Sequence, residues 1–364
     1  MKQEPGFVSE RYRKQALFRG IGPDGQQKLA TRKVVLIGCG ALGCVLADAM
    51  VRAGVGHVRI VDRDFVELSN LQRQVLFTED DVRQHLPKTI AAASRLQTVN
   101  SEIRIEPVIA DVDFTNILSL VDGADLILDG TDNFEIRYLI NDVSLQTGIP
   151  WIFTGCTGSA GQMMPVFPGK SACLRCLIPL PPPPGTTETC DTAGVLGPAI
   201  GAIASLQAAV ALRILSRPGT NLSQPDGVPL TLTIVDVWDG TFRQMDVSTL
   251  RERSDCPACH QGERLWLDGS HRSGSTVLCG RNAVQISPPE KLAIRLDELA
   301  ARLNHLGKVT SNSFLIRLQI EAPAAHDPGA GPIELTLFPD GRAIIKGTED
   351  PAAARTIYSR YVGS

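Results

Sequence analysis

Two Cys-x-x-Cys pairs, Cys173-Leu174-Arg175-Cys176 and Cys256-Pro257-Ala258-Cys259, lie downstream of a glycine-rich loop, Gly38-Cys39-Gly40-Ala41-Leu42-Gly43. A further cysteine, Cys190, stands between the pairs in Glu188-Thr189-Cys190-Asp191-Thr192-Ala193-Gly194. The three features suit three kinds of chemistry. Glycines let backbone approach phosphate, and the N-terminus of the following helix adds partial positive charge. Each Cys-x-x-Cys delivers two thiolates from one turn. Two pairs fill the tetrahedron of a zinc ion and leave no open position, so such a site is structural. The remaining thiol is available for covalent chemistry, and a helix N-terminus nearby favours its thiolate. Each feature also has a plainer reading: a strand–helix turn without ligand, four ordinary thiols or redox pairs, and a packed loop cysteine. Cys176 and Cys256 are separated by far more chain than a zinc ribbon allows, so the fold must bring the pairs together.

The loop alone does not separate a dinucleotide from ATP. The segment after it is more telling: Asp62-Arg63-Asp64-Phe65-Val66-Glu67-Leu68-Ser69-Asn70-Leu71-Gln72-Arg73-Gln74, with Lys88 further on. Asp62 ends a strand, where it accepts ribose hydroxyls. A nicotinamide fold has no need of Asn70, Arg73, Gln74 and Lys88 beyond that acid. Adenylyl transfer does, because a carboxylate attacking an α-phosphate brings anions together and pyrophosphate must depart with extra charge.

These residues must be positioned by alternating elements. The pattern predicts helix over 9–30 with a break at Gly22-Pro23-Asp24-Gly25, strand over Lys33–Ile37, helix over Ala41–Ala53 ended by Gly54, and strand over Val58–Val61. Helix is expected at Lys88–Asn100, Thr115–Leu120 and Glu135–Thr147, with strands at Ile103–Ile109, Asp125–Leu128, Pro150–Phe153 and Leu230–Val237. Such alternation implies an α/β, doubly wound, Rossmann-like parallel sheet. Four consecutive prolines, Pro181–Pro184, open a loop. The uncharged stretch Gly194–Leu212 is broken by Pro198, Ser205 and Gln207, and reads as a core or interface helix rather than a membrane span. Beyond a polar boundary at Gly262–Ser275 comes a small α+β unit. Its expected strands are Thr276–Ile286, Phe314–Ile320 and a hairpin of Ile333–Phe338 with Arg342–Lys346. Its expected helices are Leu296–Leu306 and Pro351–Tyr361.

Composition narrows the class. The 364 residues are 43% hydrophobic and carry a net charge of −3, which gives no electrostatic footprint for nucleic acid. The N-terminus has no apolar signal region. Nine cysteines in this setting fit metal binding in a reducing cytoplasm better than a disulfide scaffold. Cys39, Cys44 and Cys156 read as small core residues, and Cys279 and the six histidines form no constellation.

Arg11-Tyr12-Arg13-Lys14-Gln15, Gly38-x-Gly40-x-x-Gly43, Asp62-x-Asp64-x-Val66, Ser69-Asn70-Leu71-Gln72-Arg73-Gln74, Lys88 and Gly130-Thr131-Asp132-Asn133 together resemble the ThiF/MoeB/HesA family over roughly residues 9–262. Its members are ATP-dependent activators of ubiquitin-like sulfur-carrier proteins. The resemblance implies that Asp62 binds ribose, that Arg73 and Lys88 hold the triphosphate beside Asp64, Asn70 and Gln74, and that Asp132 holds Mg²⁺. It further implies zinc on the four Cys-x-x-Cys thiols and Cys190 in a loop crossing the carrier's C-terminal Gly-Gly tail, where sulfur transfer occurs. The family motif usually has arginine at the position of Lys14, reaching the ATP of the partner subunit in a homodimer. Lysine keeps the charge but not the bidentate fork. The expected activity is adenylylation of the carrier's terminal carboxylate, followed by thiocarboxylate formation. The thiamine-thiazole carrier is the first expectation and the molybdopterin carrier the second. A nicotinamide oxidoreductase and a non-catalytic scaffold are the competing classes. No rhodanese-like module is visible after residue 262, so the sulfur donor (a cysteine desulfurase or rhodanese-like protein) is expected to be separate. The expected domains are 1–262 for adenylation and 263–364 for an accessory unit that docks the carrier or donor, or is passive.

Overall fold

The computed structural model describes residues 9–181, 193–217, 222, 226–270, 276–278, 282–286, 288, 294–320 and 333–362. They fall into two compact units, Met1–His271 and Arg272–Ser364.

The first unit is built on β1 (Lys33–Ile37), β2 (His57–Asp62), β3 (Arg104–Ile109), β4 (Leu126–Asp129) and β5 (Trp151–Thr157), all parallel and ordered β3-β2-β1-β4-β5. In β1, Val34 and Leu36 enter one apolar cluster while Val35 and Ile37 enter another, so the sheet is covered on both faces. Strand order reverses between β1 and β4, and the crevice outside their carboxyl ends is where such sheets bind ligands. The sheet does not stop there. β6 (Ala160–Val166), β7 (Thr231–Asp236) and β8 (Thr241–Asp246) extend it antiparallel, giving eight strands among the described residues. The expected parallel sheet is therefore one half of a mixed one. β6 and β8 gave no sequence signal: β6 contains Gly161 and Pro165, and every residue of β8 is exposed, so no alternation marks it.

The helices α1 (Ala41–Ala53), α2 (Lys88–Val99), α3 (Phe134–Thr147) and α4 (Gly197–Leu215) cover the sheet. By length and composition α4 is apolar enough to cross a membrane, with mean hydropathy 1.6, yet half of it is buried inside the protein. Ile200, Ile203, Ala204, Gln207, Ala208 and Ala211 form its inner face at helical spacing. Gly161 admits Ile203: a Cβ there would lie 2.7 Å from the isoleucine. Gln207 donates to the carbonyls of Asp129 (3.1 Å) and Ile152 (3.3 Å), which suits a core helix.

The expected helix at 9–30 is divided differently. A 3-10 turn at Glu10–Tyr12 and one turn at Arg13–Ala16 come first, and Gly22–Thr31 is a helix with Pro23 in its first turn. Proline there lacks only an N–H that the helix would not have used, so the expected break is a beginning.

In the second unit the described strands form a six-stranded antiparallel sheet: β9 (Thr276–Leu278), β10 (Ala283–Ile286), β11 (Lys308–Ser311), β12 (Ile316–Ile320), β13 (Ile333–Leu337) and β14 (Ala343–Lys346), ordered β11-β12-β13-β14-β10-β9. Thr276–Ile286, expected as one strand, is two antiparallel ones with Asn282 at φ +44°. β13 and β14 turn at Pro339-Asp340-Gly341, with Gly341 at φ +84°. α5 (Leu296–Leu303) and α6 (Pro351–Tyr361) pack on one face, and the Tyr358 hydroxyl donates to the Gly341 carbonyl at 2.7 Å.

Candidate functional site

The glycine loop follows β1 and opens α1. Gly38 has φ +89°, and a Cβ there would meet the Gly130 carbonyl oxygen at 2.7 Å. A Cβ on Gly130 would in turn lie 2.4 Å from the Gly38 carbonyl oxygen. The loop and the turn after β4 are thus in direct backbone contact. Gly40 is different: a Cβ there would have only one neighbour, the Gly130 carbonyl oxygen at 3.9 Å. Its open side is where a phosphate would approach.

Asp62, at the carboxyl end of β2, braces this loop. Its Oδ2 accepts from the Cys39 N–H at 2.6 Å and its Oδ1 from the Asp64 N–H at 2.7 Å. Burial pushes its carboxyl above the usual range, against the pull of Lys88. Lys88 is 4% exposed, and its Nζ lies 3.0 Å from Asp64 Oδ2. A bridge between Phe65 and Pro87 holds the two segments together, and the Lys88 N–H donates to the Asp64 carbonyl at 2.9 Å. Asn70 is buried in a capping box, its Oδ1 accepting from the Glu67 N–H. Gln74 is buried, with an Oε1 that has no partner among the described residues. Arg73 donates to the Ser69 carbonyl at 2.9 Å.

The turn after β4 carries Asp132. Asp129, fully buried, accepts from the Thr131 N–H (2.9 Å), the Thr131 hydroxyl (2.7 Å) and the Thr154 N–H (3.2 Å). Burial raises its carboxyl above the ordinary range despite the Arg137 guanidinium beside it. Asn133 caps α3 through its Oδ1, which accepts from Glu135 N–H. Asp132 is exposed, and makes no hydrogen bond or ion pair among the described residues. An open carboxylate beside a phosphate loop fits a Mg²⁺ ligand by its chemistry.

Lys14 is not brought to this loop. It is exposed on the Arg13–Ala16 turn, whose neighbours are anchored at the far end of α1. Gln15 donates to the Ala53 carbonyl at 2.9 Å, and the Tyr12 ring closes on Gly54. The thirteen residues of α1 put about 18 Å between that end and the glycine loop. Cys190 and Cys279 lie outside the described residues. The exit from the Cys190 loop is described, however. Gly158, at the β5–β6 turn, donates to Gly194 and accepts from Leu196, while a Cβ on Gly197 would lie 3.2 Å from the Gln72 carbonyl oxygen.

The two Cys-x-x-Cys pairs meet. Their sulfurs all lie within 4.8 Å of one another, with Cys173–Cys176 at 3.8 Å, Cys173–Cys256 at 3.7 Å and Cys176–Cys259 at 3.6 Å. Zinc–sulfur bonds of about 2.3 Å in a tetrahedron put sulfurs about 3.8 Å apart. Disulfide sulfurs would be about 2.05 Å apart. The cluster therefore fits a tetrathiolate metal centre and not two disulfides. Hydrogen bonds among the four thiols hold Cys176 and Cys256 below the ordinary thiol range and push Cys173 and Cys259 above it. Both pairs follow strands running against β1–β5: β6 ends at Val166 opposite Trp151, and β8 ends at Asp246 opposite Thr231. The first pair then packs against the middle of α3, where the Leu174 N–H donates to Asn141 Oδ1 at 2.9 Å.

Three residues of the site escaped sequence reasoning: Asp129, Arg137 and Gln207. The one available signal was an acid closing the apolar run Leu126-Ile127-Leu128-Asp129.

A glycine loop at a strand-order switch point and a four-cysteine cluster whose spacing is compatible with zinc define an α/β protein of the nucleotide-binding, Rossmann-like kind. The chain belongs to the ThiF family, whose pattern matches residues 12–258. It is 39% identical over 357 residues to the sulfur carrier protein ThiS adenylyltransferase of Bacillus subtilis, covering 98% of this chain and all of the relative. It is 38% identical to the sulfur carrier protein adenylyltransferase of Thermus thermophilus, covering 69% of this chain and 90% of that one. The adenylyltransferase and sulfurtransferase MOCS3 of Sus scrofa is 36% identical over 78% of this chain and 61% of its own length. Among solved structures, E. coli MccB with AMPCPP and selenomethionine MccA superposes with a TM-score of 0.56 at 25% identity, over 66% of this chain and 72% of that one.

Proposed function

We propose that this protein adenylylates the C-terminal glycine carboxylate of a ThiS-like, ubiquitin-like sulfur carrier, releasing pyrophosphate and preparing the carrier for thiocarboxylate formation in thiamine thiazole biosynthesis. The observation that supports this reading is the packing of the glycine loop onto the Gly130–Thr131 turn, the turn that carries the exposed Asp132. The full-length likeness to a ThiS adenylyltransferase supports the choice of carrier.

In this reading Gly38, Gly40 and Gly43 shape the phosphate cradle and Asp62 meets the ribose. Asn70, Arg73, Gln74 and Lys88 face the triphosphate, with Lys88 exchanging its Asp64 partner for phosphate oxygen. Asp132 holds Mg²⁺, which offsets charge on the phosphates when bound. Lys14, remote from its own loop, serves the nucleotide of a second copy in a homodimer. Cys173, Cys176, Cys256 and Cys259 hold zinc as a structural ion. Cys190 accepts the activated carrier for sulfur transfer from a separate donor protein.

The test is carrier-dependent ATP–pyrophosphate exchange with a purified ThiS-like protein. Exchange is expected with the wild type, and Asp132→Ala should lower it by about a hundredfold or more while the fold stays intact. Full activity in that variant would sink the assignment. A MoaD-like carrier is the second reading, favoured by the likeness to MOCS3; the same assay run with both carriers decides between them.

A further inference from the structure

We propose that Arg137 is a positioning residue for the Asp132 carboxylate: it holds the Gly130–Asp132 turn by the Thr131 carbonyl and by the buried Asp129 carboxylate. The proposal rests on the reading of Asp132 as a Mg²⁺ ligand.

Arg137 sits in the first turns of α3 and is 6% exposed. Its Nη2 donates to the Thr131 carbonyl at 2.6 Å. Its Nε lies 3.3 Å from Asp129 Oδ2, close enough for an ion pair but off hydrogen-bond geometry. The guanidinium carbon is 5.4 Å from the centre of the Phe134 ring and 5.7 Å from that of Phe153. Backbone at Gly155 completes the enclosure, since a Cβ there would fall 3.4 Å from Nη1. The group is thus held by an element before the turn (Asp129), one after it (Phe134) and one on the neighbouring strand (Phe153).

A buried ion pair adds little net stability, because desolvation cancels most of the attraction. An apolar side chain would fill this space at least as well. What a guanidinium adds is direction. One planar group fixes the carbonyl next to Asp132 and the carboxylate that already binds the Thr131 N–H and hydroxyl. It also offsets the Asp129 charge, so the outward negative charge of this turn belongs to Asp132 alone. Partners that orient a metal ligand in this way are worth about 10–100-fold in metal affinity.

Calorimetry of ATP binding to the full-length protein, in EDTA and across a Mg²⁺ titration, tests this without turnover. Arg137→Lys keeps a cation opposite Asp129 but loses the fork; Arg137→Gln loses the charge. Both should raise the half-saturating Mg²⁺ concentration about tenfold or more, with ATP affinity in EDTA within about twofold of wild type. Asp132→Ala should abolish the Mg²⁺ response, and Arg137→Lys added to it should change nothing further. A wild-type Mg²⁺ response in both arginine variants overturns the proposal while leaving Asp132 in place. Equal loss with and without Mg²⁺ also overturns it, since that marks a merely structural arginine. A wild-type Mg²⁺ response in Asp132→Ala removes the metal reading itself, and this proposal with it.

Discussion

Gly43, in the first turn of α1, stands directly against the carbonyl of Gly38: a Cβ on Gly43 would lie 2.1 Å from that oxygen. No side chain fits there without moving the loop. Gly40 has open space on the corresponding side. Gly43→Ala should therefore cost stability, about 1–3 kcal/mol as overpacking does, visible as a lowered denaturant midpoint. Gly40→Ala should keep the wild-type midpoint and weaken ATP binding, because its methyl would occupy the phosphate approach. Equal effects of both substitutions on stability would refute this division.

For the thiolate cluster, about one zinc per chain is expected. Cys256→Ser should lower both the metal content and the melting temperature, because the ion would join two segments that are otherwise tied by packing and the Arg175–Glu263 ion pair. A metal-free wild type with undiminished stability would rule out the site.

Asp142, fully buried on α3, has its carboxyl pushed up to about 6 by burial, against the Trp266 N–H and the Arg175 and Arg264 cations. Its Oδ2 accepts from Trp266 N–H at 3.0 Å, and its Oδ1 has no partner among the described residues. The protonated form is the one the fold prefers. Its stabilising effect is full below about pH 4, the ordinary carboxylate range, and is lost as pH rises through about 6. Asp142→Asn should therefore gain on the wild type between pH 4 and 7, by up to about 3 kcal/mol. Any metal on the four thiols would leave both proteins alike in acid, so the difference between them is the quantity to measure. A gap independent of pH would contradict the assignment.

Cys190→Ser should leave pyrophosphate exchange nearly unchanged and impair thiocarboxylate formation, since the thiol is needed only after the adenylate forms. Sulfur transfer at the wild-type rate would make Cys190 a dispensable loop residue.

Removal of Arg272–Ser364 should preserve ATP binding, because the first unit has its own core. Cutting earlier, before Trp266, should not: that indole packs 4.5 Å from the Tyr138 ring, and its backbone binds Asp142. Circular dichroism and ATP titration of the two truncations distinguish these outcomes. If the truncation after His271 lost ATP binding, the second unit would be integral to the nucleotide site.

Residues whose place in the fold is set by local spacing were readable in the chain. The glycine loop and the acid ending β2 needed only strand–helix alternation to be placed, whereas the meeting of the two Cys-x-x-Cys pairs needed the fold. β8 was not readable, because a strand exposed at every residue has no period of two. Gly22-Pro23 misled because the same dipeptide can end one helix or start another. Arg137 was hidden for a different reason. Nothing in its neighbourhood along the chain says that it will reach back to Thr131 and across to Phe153, since that depends on β4, β5 and α3 meeting.

The position of the thiolate cluster separates two vulnerabilities. The cluster packs against α3 at Tyr138 and Asn141, not against the glycine loop. A zinc ion on these four thiols would join the segment after β6 to the segment after β8, and so tie the antiparallel strands together by their continuations. A chelator should then loosen β6–β8 first, and reach the Asp129 turn only through β5, where the Thr154 N–H donates to that carboxylate.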